Sequence, residues 1–343
     1  QAMKAVMALV KDLGWPVLTT WGGLDLVAAD EPQLVGTFGA CGPMAGNMAI
    51  QHTDLVLSLG SRLWAHTIGG NPQGFAPNAV KVVVDIDQSE FDKFQGAFTT
   101  KGQSDLWMLN SDLNTFCHWV YNQSPKTAYP DWHAQIARWK KEYPFHTSLP
   151  PYDFLADLTA LAPADAIVVT DAGATLCQVM QSWRVKAGQR VISSFNHSPM
   201  GWAVPAALGA SLAAPGRRVI CITGDGSFNM NAQELAVIVG LDLPVTVIVL
   251  DNGGYGIIRQ TQDTWLERRH VASRDGSGLH LPDADKICAA YGIQSLIMRN
   301  WPKLDSLWQT KSPLAMIVRV PQSARISPKL GKSKDLLALE TVS

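Results

Sequence analysis

The sequence predicts an α/β protein of two domains, each built on a parallel sheet. Short apolar runs recur at Asp54–Leu59, Ala79–Ile86, Ala166–Thr170, Arg218–Thr223 and Pro244–Leu250. Each is followed at once by Gly or Asp, at Gly60, Asp87, Asp171, Gly224 and Asp251. Helical patterns lie between these runs, and that alternation makes βαβ units and a Rossmann-like parallel sheet. A length of 343 residues with 47% hydrophobic content suits two such sheets, each with its own core.

Taken in order, Gln1–Leu13 has helical spacing at Met3, Val6, Met7 and Val10, and Gly14 stops it before a strand at Pro16–Thr20. With the strands at 54–59 and 79–86 this completes a first domain, residues 1–100. Residues 101–151 read as a linker with a surface helix, where Trp132, Ile136 and Trp139 form a packing stripe ahead of Pro144, Pro150 and Pro151. The second domain, 152–322, opens with the strand 166–170, the turn Asp171–Thr175 and a helix at Leu176–Val185. A small-residue helix opens at Gly201, and a further helix is expected over Asn229–Gly240. Asp283–Tyr291 and Ser306–Thr310 are expected helices, Leu314–Val320 a closing strand, and 323–343 a tail that is either disordered or folded over the site.

Composition excludes several classes of partner. The formal charge is −1, and the only basic cluster is Arg325, Lys329, Lys332 and Lys334 near the end, so neither nucleic acid nor an anionic membrane is expected. No apolar run reaches the roughly 18 residues of a membrane span, and no charged-then-apolar signal segment opens the chain. Five cysteines, odd in number and without metal spacing, are expected as reduced thiols of a cytoplasmic protein.

The stretch that carries chemistry runs from Thr223 to Gln262. Gly224-Asp225-Gly226 follows one strand and Asp251-Asn252-Gly253-Gly254 the next. In an open parallel sheet both turns lie at the carboxyl edge, where ligands bind and helix N-termini attract phosphate. Asp225 and Asn252 would then share one cation. Hard oxygen donors with little charge suit Mg2+, which completes its shell with water and phosphate oxygens.

Gly226 and Asp251 are separated by the 24 residues Ser227–Leu250. The whole stretch resembles the signature of thiamine-diphosphate enzymes, above all the acetolactate synthase large-subunit family, in which GDGSF, MNxQEL and NNGGYGxIRQTQ occur in this order. Asp251 departs from that pattern by replacing the first asparagine. The resemblance implies that Asp225, Asn252 and the Gly254 carbonyl hold the metal. The Gly226 and Ser227 amides would face the diphosphate, with Gly224, Tyr255 and Gly256 completing the two cofactor loops. Gly173, Ala174 and Thr175 are further diphosphate candidates by the same strand, turn and helix logic.

SPMGWAVPAALG matches the family's GxMGxxxPAAxGA segment, so Met200 would be the apolar wedge under the cofactor and the Ser198 carbonyl would accept from its amino group. Ile257 and Ile258 would line the reacting carbon, and Tyr255–Gln262 would be a mobile edge. His197 has no catalytic counterpart in the family.

PVLTTWGG, DLVLSLGSRL and VKVVVDIDQSEFDKF match the family's middle domain in order. Some members hold FAD there, and Gly60-Ser61-Arg62 fits that pattern. Trp64, Ala65 and His66, however, replace an acidic stretch, so a plain α/β domain is expected. The family's middle domain begins with a strand that precedes residues 1–13, and a whole domain precedes that. The chain is therefore expected to be the carboxyl-terminal part of a longer polypeptide.

The preceding domain carries the glutamate that activates the cofactor's pyrimidine, and no acid here, Glu234 included, takes that post. A chain bearing that domain is the expected partner, in a homo- or hetero-oligomer, and the fragment alone is expected to be inactive. The implied activity is Mg2+-dependent decarboxylation and carboligation of a 2-keto acid. The alternatives are a simple 2-keto acid decarboxylase and a non-catalytic assembly or regulatory partner that keeps the fold.

Overall fold

The computed structural model describes residues 2–94, 99–100, 103–104, 106–123, 129–145, 148–298, 308, 310 and 312–341. The chain divides into two compact units, Gln1–Phe145 with Ser327–Ser343, and His146–Ile326.

The first unit opens with α1 (Ala2–Leu13), whose Leu9 and Leu13 are buried with Val84, Phe116 and Cys117. β1 (Val17–Thr19) and β2 (Leu34–Thr37) form a parallel pair of their own, and α2 (Met44–Gln51) follows. β3 (Leu55–Leu59), α3 (Ala65–Ile68), β4 (Val80–Asp85) and α4 (Ser89–Asp92) lead to a small antiparallel pair, β5 (Thr99–Thr100) and β6 (Gln103–Ser104).

β7 (Leu106–Asn110) then adds to a parallel sheet of order β3-β4-β7. α5 (Leu113–Gln123) lies beside α1, with Phe116 and Cys117 in the same cluster as Leu9 and Leu13. The expected linker over 101–151 therefore needs correction, because β7 and α5 belong to the first unit. LWMLN contains no β-branched residue and a single aromatic, so the strand left only a weak propensity signal. α6 (Pro130–Glu142) matches the expected surface helix: Ile136 and Trp139 are buried against Ala45 and Ala49, so its Trp stripe is packing.

The second unit holds a six-stranded parallel sheet, order β12-β13-β11-β10-β8-β9. Along the chain come α7 (Tyr152–Leu161), β8 (Ile167–Thr170), α8 (Gly173–Ser182), β9 (Arg190–Ile192), α9 (Ala203–Ala213) and β10 (Val219–Gly224). There follow α10 (Asp225–Phe228), a 3-10 turn at Ala232–Glu234, α11 (Leu235–Gly240), β11 (Val245–Asp251), α12 (Gly256–Trp265), α13 (Ala284–Ala290), β12 (Ser295–Met298) and β13 (Leu314–Arg319). Val169, Cys221, Val247 and Ile317 from the four central strands are fully buried, as expected of a sheet covered on both faces.

After β8 the chain goes outward to β9, then returns to β8's other flank to build β10 and β11. That reversal is the topological switch point, and a crevice opens there at the carboxyl ends of the strands.

The strand expected at Leu314–Val320 is β13, and two local expectations change in this unit. The single helix expected over 229–240 is instead a 3-10 turn followed by the shorter α11, with the separate one-turn α10 ahead of them at the strand end. Tyr255–Gln262 is not a loose edge but the start of α12, pinned by buried side chains. Gln260 exchanges two hydrogen bonds with the Ile326 backbone, at 3.1 and 3.0 Å. Gln262 donates to Val271 O at 2.9 Å and accepts from Ser273 Oγ at 2.7 Å. The helix expected over 306–310 lies largely outside the described residues.

The tail returns to the first unit. β14 (Lys329–Leu330) and β15 (Leu339–Glu340) pair antiparallel, Leu336 is 1% exposed among Phe38, Ile50 and Phe75, and Asn47 Nδ2 donates to Leu336 O at 2.7 Å.

Candidate functional site

Three turns meet at the carboxyl ends of β8, β10 and β11, and glycines set how closely they approach. A Cβ at Gly226 would lie 2.3 Å from Tyr255 Cε1 and 3.4 Å from Met200 Cε, so the β10 turn touches both the β11 turn and the segment before α9. A Cβ at Gly256 would fall 2.6 Å from Asn252 Nδ2 and 3.7 Å from Ala174 Cβ. Gly173 adopts a left-handed φ of +72°, with Ile257 Cγ2 3.4 Å from its Cβ position, and Thr175 Oγ1 lies 3.3 Å from that of Gly224. The sequence-derived residues from Gly173, Ala174 and Thr175, from Met200, from Gly224 to Ser227 and from Asn252 to Ile257 thus converge on one edge of the sheet. Ile258 is 42% exposed, and nothing places it against these turns.

Asp225 is the electrostatic centre. It is 5% exposed; Oδ1 accepts from Gly226 N at 2.9 Å and Oδ2 from Gly254 N at 2.7 Å. Burial, with Asp251 beside it, outweighs those two donors and pushes its pKa up to about 7. Asn252 Oδ1 is buried with no hydrogen-bond partner among the described residues. A buried acceptor left unpaired is unfavourable by about 1–3 kcal/mol, and this orphan lies on the turn whose Gly254 N–H bonds Asp225, where a donor or a cation would relieve it.

The β11 turn is held from behind. Arg259 is buried on α12 and donates to Asn252 O at 3.1 Å, Gly253 O at 3.4 Å, Ser273 O at 3.2 Å and Gln322 O at 3.4 Å. Burial lowers its pKa. Asp251, which accepts from Gly253 N at 3.2 Å, forms an ion pair with Arg319 on β13. That pairing answers the carboxylate standing where the resemblance has an amide.

The segment before α9 is shaped by positive φ, +43° at Ser198 and +83° at Gly201. His197 is exposed. Sequence reasoning passed over one residue here: Asp171, 1% exposed at the end of β8, accepts from Ala172 N at 2.8 Å, Gly201 N at 3.0 Å, Ala203 N at 2.9 Å and Thr223 Oγ1 at 3.3 Å. Its partners lie 30 or more residues away except for Ala172, so only its place after a strand could have pointed to it.

The donor set of one carboxylate, one orphaned amide oxygen and nearby backbone carbonyls fits a hard divalent cation. Among the described residues no group of three His, Cys, Asp or Glu side chains that would favour a softer metal converges.

In the first unit the segment 64–66 is engaged in ring packing: the His66 ring lies 5.0 Å from Trp21 and 5.2 Å from Trp64. Burial, then Lys329, lowers the His66 pKa.

Comparison with known proteins accords with this site. Residues 171–309 match the thiamine pyrophosphate enzyme C-terminal TPP binding domain, and residues 1–103 match the thiamine pyrophosphate enzyme central domain. The chain is 30% identical over 338 residues to the acetolactate synthase isozyme 2 large subunit of Escherichia coli K12, covering 96% of this chain and 59% of that protein. It is 31% identical over 303 residues to the acetolactate synthase large subunit of Porphyra purpurea, covering 85% and 49%. The Lactococcus lactis IL1403 large subunit is 28% identical over 331 residues, covering 94% and 56%. The chain therefore spans between half and three fifths of the length of these relatives.

Proposed function

The chain belongs to the thiamine pyrophosphate enzymes, carrying their central and C-terminal TPP-binding domains, and on that premise we propose that it is the cofactor-holding part of an acetolactate synthase-like enzyme. The reaction is Mg2+-dependent decarboxylation of a 2-keto acid and its joining to a second carbonyl compound. The observation that carries the metal is the buried, unpartnered Asn252 Oδ1 on the turn whose Gly254 N–H bonds Asp225.

Asp225, the Asn252 side chain and the Gly254 carbonyl hold Mg2+, while the Gly226 and Ser227 amides and the Gly173–Thr175 turn hold the diphosphate. Bound thiamine diphosphate supplies the carbanion chemistry that lets a 2-keto acid lose carbon dioxide. This chain's residues bind and orient. Met200 supports the cofactor from below, Arg259 keeps the β11 turn in register, and Ile257 gives the reacting carbon an apolar wall.

The glutamate that activates the pyrimidine comes from another domain or chain, so the working enzyme is an oligomer or a longer polypeptide and this chain alone does not turn over. All five cysteines are buried, and the setting we assign is the cytoplasm.

Calorimetric titration with thiamine diphosphate tests the reading. Binding should require Mg2+. Carbon dioxide release from pyruvate should appear only when a pyrimidine-binding domain is added. Absence of binding with Mg2+ present would refute the assignment.

A further inference from the structure

Met200 can act as a wedge only if its backbone is fixed, yet it sits in a segment with no regular secondary structure between β9 and α9. The next residue is held through both of its backbone polar groups. Gly201 N–H donates to Asp171 Oδ1 at 3.0 Å, its carbonyl accepts from Asn231 Nδ2 at 2.8 Å, and a Cβ there would fall 2.8 Å from Met230 Cβ. The same carboxyl group takes Ala203 N–H at the start of α9 through Oδ2, at 2.9 Å, and Thr223 Oγ1 on β10, at 3.3 Å.

One buried side chain at the end of β8 therefore joins β10, the turn after Met200 and the first residue of α9. We propose that Asp171 is a positioning residue that, with Asn231, fixes the two peptides flanking the Gly201 Cα against the β10 turn and so sets the height of the cofactor-supporting wedge. This rests on the thiamine diphosphate reading above.

The role depends on a carboxylate. Both of its oxygens accept from backbone N–H groups, so in Asp171→Asn, whichever way the amide turns, an NH2 group faces an N–H donor. Asn231→Ala releases the Gly201 carbonyl, in the following peptide, without touching Asp171 or the diphosphate turns. The two variants thus loosen Gly201 from its two sides, and the second keeps the test open if the first does not fold.

The full chain, wild type and each variant, is titrated with Mg2+ plus thiamine diphosphate and separately with Mg2+ plus inorganic pyrophosphate, following intrinsic tryptophan fluorescence. If the wedge is set by Asp171 and Asn231, each variant loses about 10-fold or more in affinity for thiamine diphosphate while pyrophosphate affinity stays within about 2-fold of wild type. Unchanged thiamine diphosphate affinity in both variants overturns the proposal. Equal losses for both probes overturn it too, because the residues would then support the fold without setting the wedge. Wild-type chain that binds pyrophosphate and thiamine diphosphate equally well, or neither, would sink the cofactor reading and this inference with it.

Discussion

Replacing Asn252 by alanine separates the structural from the functional demands on the site. In the metal-free protein the Asn252 Oδ1 atom is buried and unpartnered, an unfavourable term of about 1–3 kcal/mol. Truncation removes that term and vacates a few tens of Å³, which at about 24 cal/mol per Å³ costs under about 1 kcal/mol. The variant should therefore match or exceed wild type in EDTA, by about 0–2 kcal/mol. With ligand at 100 times its Kd, wild type gains about 2.7 kcal/mol from Mg2+ and thiamine diphosphate, and the variant gains almost none. At about 2–4 °C per kcal/mol for a unit of this size, scanning calorimetry should find a ligand-induced Tm rise of about 5–11 °C in wild type alone. A variant destabilised by more than 1 kcal/mol in EDTA, or one that keeps the full rise, would refute the view that this oxygen is reserved for a cation.

Three further outcomes follow from the same geometry. Asp225 has a native pKa near 7 against 3.8 ordinarily, so its contribution to metal-free stability is present below about pH 4 and lost as pH rises through about 7. Tm in EDTA should fall over that range while Mg2+ affinity climbs, and flat profiles for both would contradict the burial of this carboxyl. Gly226→Ala places a methyl against the Tyr255 ring, which should cost about 1–3 kcal/mol by denaturant unfolding and displace an amide proposed to face the diphosphate. An unchanged midpoint would mean the ring moves freely. Arg259→Met leaves the Asn252 and Ser273 carbonyls without their guanidinium donor, a loss of about 2 kcal/mol or more, visible as faster hydrogen exchange at Gly253 and Gly254.

The metal and phosphate turns were legible because they obey a local rule. An apolar β-branched run that stops at Gly or Asp is a strand end, and in a parallel sheet such ends share an edge. β10 and β11 announce themselves in that way, and so do the residues just after them. β7 and β12 do not: LWMLN and SLIM are short and poor in β-branched residues, and their partners β4 and β13 are what make them strands. The buried side chains that brace the site were illegible for a different reason. Asp171, Asn231 and Arg259 act on backbone groups distant in sequence or across a turn, and a hydrogen bond of that kind leaves no periodic trace. The expected looseness of Tyr255–Gln262 failed likewise, since two glutamines that look like solvent-facing residues spend their amides on Ile326, Val271 and Ser273.

The return of the tail to the first unit has a consequence for how the chain comes off the ribosome. Leu336, in a tail expected to be disordered or folded over the site, instead sits in the core beside Phe38 and Phe75, and Leu330 N donates to Ala40 O at 2.6 Å. The second unit is an insertion between the two pieces of the first. Translated at about 5–20 residues per second, it emerges and can close its sheet while residues 1–145 still wait for the segment that completes them, an interval on the order of ten to forty seconds. Of these two units, the one whose sequence comes first is thus the one that finishes last, and removing residues 332–343 would leave the cofactor turns intact while opening the core around Phe38 and Phe75.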